Sequence, residues 1–428
     1  MAARKTTPST STSATGDLID AEVPDATQHI DDILKVALFT PLGSPKDPEC
    51  RWGLPTIFWG GSGIAKSERI EQIAAAAALP YGVIFPAQHP PEDFSGALVP
   101  GKDGTPQMYC TLPYVQRLAA LGKGLLFIDE ASGASPAVQG AMLGFVNDRR
   151  AGELVLPGKV RLLLAANPPK YSAGGWRLSA PSANRLTHFK VRAPSGAAWA
   201  DWLITEGMKE SVAVTLFEQT VINNWARCYS RIKGLGAGFM RVNSAALYQQ
   251  PEHNNPQSGY CWPSPRTWVR GLRAAATAEA LGLSEAVRDL MLEGCVGPGV
   301  ITEFLKWVKA NDLPLPEQVL IRGGWVPNPH RVDINYAVVT SCTSYVLEQQ
   351  LPPEQVALAT SCWKLAKALV DNHLADLAFQ AATTLIRAKL GTNSIHKDHN
   401  LKNAAFECIS LFTDPKYASL AEMAGSDS

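Results

Sequence analysis

Eight residues, Gly60 to Ser67 (GGSGIAKS), constrain this chain more than any other stretch. They follow a short apolar run, TIFW at 56–59, and open a helical pattern, KSERIEQIAAAAAL. That pattern stops at Pro80, which cannot continue a helix. Small residues between a strand and a helix free backbone N–H groups to wrap phosphates, and the helix N-terminus adds a favourable dipole. On this reading Gly60, Gly61, Ser62, Gly63, Ile64 and Ala65 form the wrap, Lys66 reaches the β- and γ-phosphates of ATP, and the Ser67 hydroxyl binds Mg²⁺. The usual pattern is G-x-x-x-x-G-K-[ST], and Ala65 replaces its second glycine. The competing reading is an ordinary glycine-rich turn with a surface lysine.

Around this loop, residues 55–192 alternate short apolar runs with helical patterns, which predicts an α/β domain with a largely parallel sheet. The strand candidates are 56–59, YGVIF (81–85), LLFI (125–128), VRLLLAA (160–166) and HFKV (188–191). One helix is expected from Pro113 to Gly122, and another from Ser135-Pro136, a cap followed by a first-turn proline. SGALVPGKDGTPQMYC (95–110) predicts a hairpin around Asp103-Gly104. GELVLPGKV (152–160) predicts a second, turning at Pro157-Gly158. From about 196 the pattern is helical, as in ADWLITEGMKESVAVTLFEQTVINNWARCY, interrupted by a polar loop at 249–265. The last hundred or so residues read as all-helical.

Length and composition bound the function classes. At about 150 residues per domain, 428 residues suggest nearly three domains. With 46% hydrophobic and 18% charged residues, global disorder is excluded. Lys plus Arg and Asp plus Glu are both 39, and that zero balance argues against a nucleic-acid backbone or an anionic membrane as main partner. No stretch approaches the roughly 18 apolar residues of a membrane span. Residues 6–15, TTPSTSTSAT, are too polar to bury and predict a tail over 1–25; nothing there resembles a secretory signal. The eight cysteines include no C-x-x-C pair, which predicts reduced, buried thiols in a cytoplasmic protein. His396 and His399 lack nearby cysteines and read as a solvated turn rather than a zinc site.

Three further motifs bear on the phosphate loop. GLLFIDE (124–130) ends an apolar run in Asp129 and Glu130, and ligands of open parallel sheets sit at strand carboxyl ends. Asp129 would bind Mg²⁺ through its water shell and Glu130 would polarise the attacking water. VRLLLAAN ends in Asn167, placed either to orient that water or simply to turn the chain before Pro168. Arg185, just before the last strand, is either a surface charge or an arginine finger for a neighbouring subunit.

Taken together, GGSGIAKS, LLFIDE, LLLAANPP, GGWRLSAPSANRL and PSPRTW, in that order, resemble the MoxR family of AAA+ ATPases over roughly residues 30 to 310. The resemblance implies an AAA+ P-loop core with a five-stranded parallel sheet over 26–195 and a helical lid over 196–312, leaving a helical extension at 313–428. It implies rings, usually hexamers, and tolerance of alanine at Ala65. It identifies 95–110 as a hairpin insert and 152–160 as a pre-sensor hairpin. It further implies that Asn167 is the first sensor, Arg185 the trans-acting finger and Arg266 the second sensor, with Arg270 and Arg273 competing for that last role. Asn184 stands where many relatives have Asp. The expected activity is hydrolysis of Mg-ATP to remodel a protein client, with a partner bearing a von Willebrand factor A domain. A nucleic-acid motor and a nucleotide-gated assembly scaffold are the alternatives.

Overall fold

A computed structural model describes residues 23–408 apart from 102, 169–175, 197–213, 253–254, 312, 350–351, 393 and 397. Of the expected tail over 1–25, residues 1–22 lie outside the described residues, as do Lys102, Pro169, the two glycines opening GGWRL and most of ADWLITEGMKESVAV, whereas Val23 is buried and Asp25 bridges to Lys190.

Helix α1 (Ile30–Phe39) precedes strand β1 (Thr56–Trp59), which runs through the glycine-rich loop into α2 (Lys66–Ala76). Strand β2 (Tyr81–Ile84) and short α3 (Pro91–Ser95) lead to a hairpin of β3 (Ala97–Pro100) and β4 (Pro106–Tyr109). Next come α4 (Pro113–Leu121), ended by left-handed Gly122, then β5 (Lys123–Ile128) and α5 (Pro136–Asp148), capped by the Ser135 hydroxyl. A small hairpin, β6 (Arg150–Ala151) and β7 (Leu154–Val155), precedes β8 (Lys159–Ala166), α6 (Ala180–Ala183) and β9 (Thr187–Lys190). Eight longer helical segments follow among the described residues: α7 (Val214–Val242), α8 (Pro265–Ala280), α9 (Glu285–Val296), α10 (Pro298–Ala310), α11 (Val332–Glu348), α12 (Pro352–Asp371), α13 (Ala375–Arg387) and α14 (His399–Phe406).

Every apolar run expected to be a strand is one, and together they form a five-stranded sheet, β2-β5-β8-β1-β9, all parallel. Both faces are covered, which is why the strands read as continuous apolar runs rather than alternating ones. Phe58, Phe127, Leu163 and Phe189 face a core shared with α1, α2 and α7 to α10. Ile57, Leu126, Leu162 and Leu164 face α4 and α5 through Val115, Leu118, Val138 and Phe145. A third core, around Trp363, Cys342 and Leu385, holds α11 to α14 together. All eight cysteines are buried and unbridged. No helix among the described residues is long and apolar enough to cross a membrane.

The second hairpin corrects its expected position. Its strands are 150–151 and 154–155, so the chain reverses at Gly152-Glu153 and not at Pro157-Gly158. Pro157-Gly158 makes a separate turn, Val160 N–H to Pro157 O at 3.0 Å, that feeds β8 while Gly158 O accepts from Trp52 N–H. Gly152 has φ +59, and a Cβ there would lie 2.3 Å from Met108 O, so only glycine permits this approach of the two hairpins.

Two features fix the long helix α7 in place. Glu218 accepts from Arg161 at 2.5 Å and from Lys159 at 3.2 Å, tying α7 to the start of β8. Farther along, a Cβ on Gly234 would sit 2.4 Å from Ala337 O, and one on Gly238 2.7 Å from Asp333 O. Those glycines let α7 and α11 cross at backbone contact.

Candidate functional site

Strands β5, β8 and β1 are adjacent, with Ile128 opposite Leu164 and Trp59 opposite Ala166. The residues that follow them, Asp129, Asn167 and Gly60, therefore emerge together at the carboxyl edge of the sheet. This is the crevice where open parallel sheets hold ligands. Asp129 N–H donates to Ile84 O at 2.9 Å and Gly60 N–H to Ala166 O at 3.1 Å, so both loop entrances are tied to the sheet.

The glycine-rich loop closes a tight curve over this edge. Gly60 allows it: a Cβ there would meet Val191 O at 2.6 Å. Ala65 is left-handed, φ 62 and ψ 28, the conformation glycine adopts without cost. The departure from the usual motif thus keeps the glycine backbone at a strain of about 1–3 kcal/mol. Past Gly60, the first amide among the described residues with a backbone acceptor is that of Arg69, on Ala65 O at 3.0 Å. The intervening N–H groups open the N-terminus of α2 as a donor-rich cradle.

Lys66 folds back across this cradle. Its ammonium donates to Gly60 O and Gly61 O, both at 2.8 Å, and to Asn167 Oδ1 at 3.3 Å. Burial pushes its pKa down, and Asp129 and Glu130 pull it back up. The Ser67 hydroxyl donates to Asp129 Oδ2 at 2.6 Å. A hydroxyl and a carboxylate oxygen this close are hard ligands of the kind Mg²⁺ takes. Donor cradle, ammonium and oxygen pair fit a magnesium nucleotide.

Glu130 follows with a left-handed backbone of its own, φ 53 and ψ 38, its N–H donating to Asp129 Oδ1 at 2.8 Å. Its side chain is exposed beside the pocket. Non-glycine residues at positive φ concentrate at functional sites, and Ala65 and Glu130 are two of them at one edge. Asn167 is held from behind, its carbonyl accepting from the Ser132 hydroxyl at 2.9 Å.

The remaining arginines form a second constellation. Arg185 lines a cavity together with Met142, Val146 and Leu178, and its Nη1 donates to Pro181 O at 2.8 Å. Burial lowers its pKa first, then the neighbouring charge of Arg266. Arg270 is pushed down to about 10, chiefly by burial, with Arg266 and Arg185 adding repulsion. Asn184, the residue before Arg185, accepts from the Ser264 hydroxyl at the start of the helix that carries Arg266 and Arg270, so the three arginines are neighbours. Arg273 stands apart. Its guanidinium donates to Pro41 O at 3.0 Å and Gly43 O at 2.7 Å and lies over the Tyr229 ring. Of these three arginines, Arg266 alone is exposed.

Sequence reasoning missed a buried pair at the opposite edge. Arg149 donates to Trp52 O, Gly53 O and Val160 O, and Arg161 to Leu38 O and Glu218. Nothing in their local sequence marks them, because an arginine is ordinarily exposed.

No family model matches the chain. No curated protein matches it either. Among solved structures it is similar to one described as "a putative ATPase from Cytophaga hutchinsonii", at 13% identity and a TM-score of 0.42, over 66% of this chain and 90% of that one. Sheet order and loop position define the class of fold: α/β, with a five-stranded all-parallel sheet, a glycine-rich loop at its carboxyl edge and a helical C-terminal region.

Proposed function

We propose that this chain binds Mg-ATP at residues 60–67 and hydrolyses it at the interface between copies of itself. The observation that carries this reading is the Ser67 hydroxyl 2.6 Å from Asp129, beside a lysine curled into its own glycine-rich loop. Ser67 and Asp129 would hold Mg²⁺, which would supply charge neutralisation to the phosphates. Lys66 exchanges its two loop carbonyls for phosphate oxygens, and the free amides of the loop take the rest. Glu130 polarises the water, which Asn167 orients while touching Lys66. Arg185 and Arg266 share one surface, so this reading gives both the same destination, the γ-phosphate of a neighbouring copy.

We infer further that hydrolysis serves to remodel a protein client in a ring, most simply a hexamer. Support comes from the β3–β4 hairpin, which exposes Leu98, Met108 and Tyr109, a surface suited to apolar peptide rather than phosphate. A separate partner with a von Willebrand factor A domain rests on the MoxR resemblance alone.

Two variants test the chemistry. Lys66→Ala should lose ATP binding in calorimetric titration, because the phosphates lose their charged clamp. Glu130→Gln should bind ATP as the parent does yet hydrolyse it about 10²–10⁴-fold more slowly. Parental turnover by Glu130→Gln would remove Glu130 from the mechanism.

A further inference from the structure

Between the arginine of the core and the arginine of the lid stands one buried amide. Asn184, the last residue before Arg185, is 5% exposed and reaches into the cap of α8. Its Oδ1 accepts from the Ser264 hydroxyl at 3.0 Å, and its Nδ2 donates to Trp262 O at 3.4 Å. A carbonyl can only accept, so the amide nitrogen must face Trp262 and the oxygen must face Ser264. Ser264 is the N-cap of α8, its hydroxyl accepting from Thr267 N–H at 3.2 Å while Thr267 Oγ1 accepts from Ser264 N–H at 2.8 Å. Asn184 therefore joins a reciprocal capping box on another element, and Arg266 lies in the first turn that this box starts.

We propose that Asn184 is a positioning residue that registers Arg185 against Arg266, so that both arginines are presented to a neighbouring copy's phosphate as one preformed unit. This rests on the reading of Arg185 and Arg266 given above. The electrostatics require such a device. Arg185, Arg266 and Arg270 carry like charges, and Nε of Arg185 and Nη1 of Arg270 are buried without a partner. Left alone, that repulsion favours separation of lid and core at this point. The buried bonds from Asn184 to Ser264 and Trp262 oppose it, and they are neutral, so they leave the cluster positive for an incoming anion. A carboxylate at Asn184 would lack the donor for Trp262 O and would place an anion of the chain's own beside the arginines.

The test compares Asn184→Ala, Ser264→Ala, Ser264→Thr and Arg185→Ala in full-length protein, each also mixed with Lys66→Ala. Asn184→Ala should bind ATP with parental affinity, keep its KM and lose about tenfold to a hundredfold in kcat, the scale of an ångström-level misplacement. Mixing with Lys66→Ala should recover part of the rate, because the latter's intact arginines then serve an intact pocket. Ser264→Ala should resemble Asn184→Ala, Ser264→Thr should restore the rate by keeping the hydroxyl, and the double alanine variant should be no worse than either single one. Parental kcat in Asn184→Ala, with Arg185→Ala slow and rescued by mixing, would overturn the positioning role alone. A slow Arg185→Ala that mixing never rescues would instead remove the shared-site reading, and this proposal with it. Should Asn184→Ala not fold, the two Ser264 variants decide, and equal rates for Ala and Thr would end the proposal.

Discussion

His188, in the middle of β9, shows how completely burial can set the state of one side chain. Its Nε2 donates to Ala183 O at 2.9 Å, and its Nδ1 accepts from Trp59 Nε1 at 3.1 Å. Indole N–H can only donate, so Nδ1 must stay unprotonated. Burial pushes the pKa down to about 4. The unfolded chain takes up this proton near pH 6.5 and the native state only near 4, so the unfolded state binds more protons between those values. Stability is therefore fully present above about pH 6.5 and falls as the pH drops toward 4, by on the order of 3 kcal/mol from this group. Urea midpoints across that range should decline accordingly, and the His188 ring should keep its neutral NMR signature at pH 5. A native ring that titrates near 6.5 would sink the argument. Because Trp59 runs directly into Gly60, the same proton would loosen the entrance to the phosphate loop.

Among the elements, the two hairpins are a joined pair. Glu153 N–H donates to Met108 O at 2.8 Å and Gly152 N–H to Ser95 O at 3.2 Å, stitching the β6–β7 turn to the base and outer strand of β3–β4. A Cβ on Gly96 would lie 2.4 Å from Gly152 Cα, so the contact is backbone on backbone. The β6–β7 hairpin leads into β8, whose far end carries Asn167 beside Lys66. On the proposed reading, a push at the exposed hairpin tip would travel through these contacts toward the edge that holds Lys66. Shortening residues 100–105 leaves this stitching intact while removing the tip. On the proposed reading it should abolish the response of ATPase rate to a protein client and keep basal hydrolysis within about twofold, since a surface-loop change away from the site seldom costs more than a few tenths of a kcal/mol. Sizing the variant with ATP present separates this from a hairpin that merely packs on a neighbour, for which the ring would fall apart.

For the whole molecule, the proposed reading implies a division of labour between copies. Lys66, Ser67, Asp129 and Asn167 gather at one edge, while Arg185 bonds to Pro181 O and neighbours Arg266. Arg185→Ala should bind ATP almost normally and hydrolyse it about 10³–10⁵-fold more slowly, the worth of an arginine finger. Mixed with Lys66→Ala it should exceed the sum of the two separate rates, once subunit exchange is verified by labelled protein. Rates that never exceed that sum would put both halves of the site in a single chain. Electrostatics at this scale also bear on the client. A chain of zero net charge should show no salt-sensitive stimulation by DNA or RNA, and tight salt-dependent binding that speeds hydrolysis would favour the motor alternative.

What the sequence determined by itself was everything carried by neighbours in the chain. The five strands, the cap at Ser135, the stop at Gly122 and the loop from Gly60 to Ser67 are each set by local period or turn chemistry, and each was readable. Asp129 and Asn167 were readable as strand ends because a parallel sheet collects its carboxyl termini on one edge. The tertiary structure decided what distant segments do on meeting. Both Pro157-Gly158 and Gly152-Glu153 can turn a chain, and the choice went to Gly152 because Met108 O leaves no room there for a side chain. The three lid arginines look alike along one helix, yet Arg273 is spent on Pro41 O and Gly43 O, Arg270 is half-buried with its Nη1 enclosed, and Arg266 stays exposed near Arg185. Local sequence carries the propensity of each residue; which partner it finds across the fold is fixed only when sheet and lid pack, because excluded volume and hydrogen-bond satisfaction act between surfaces that no local pattern describes.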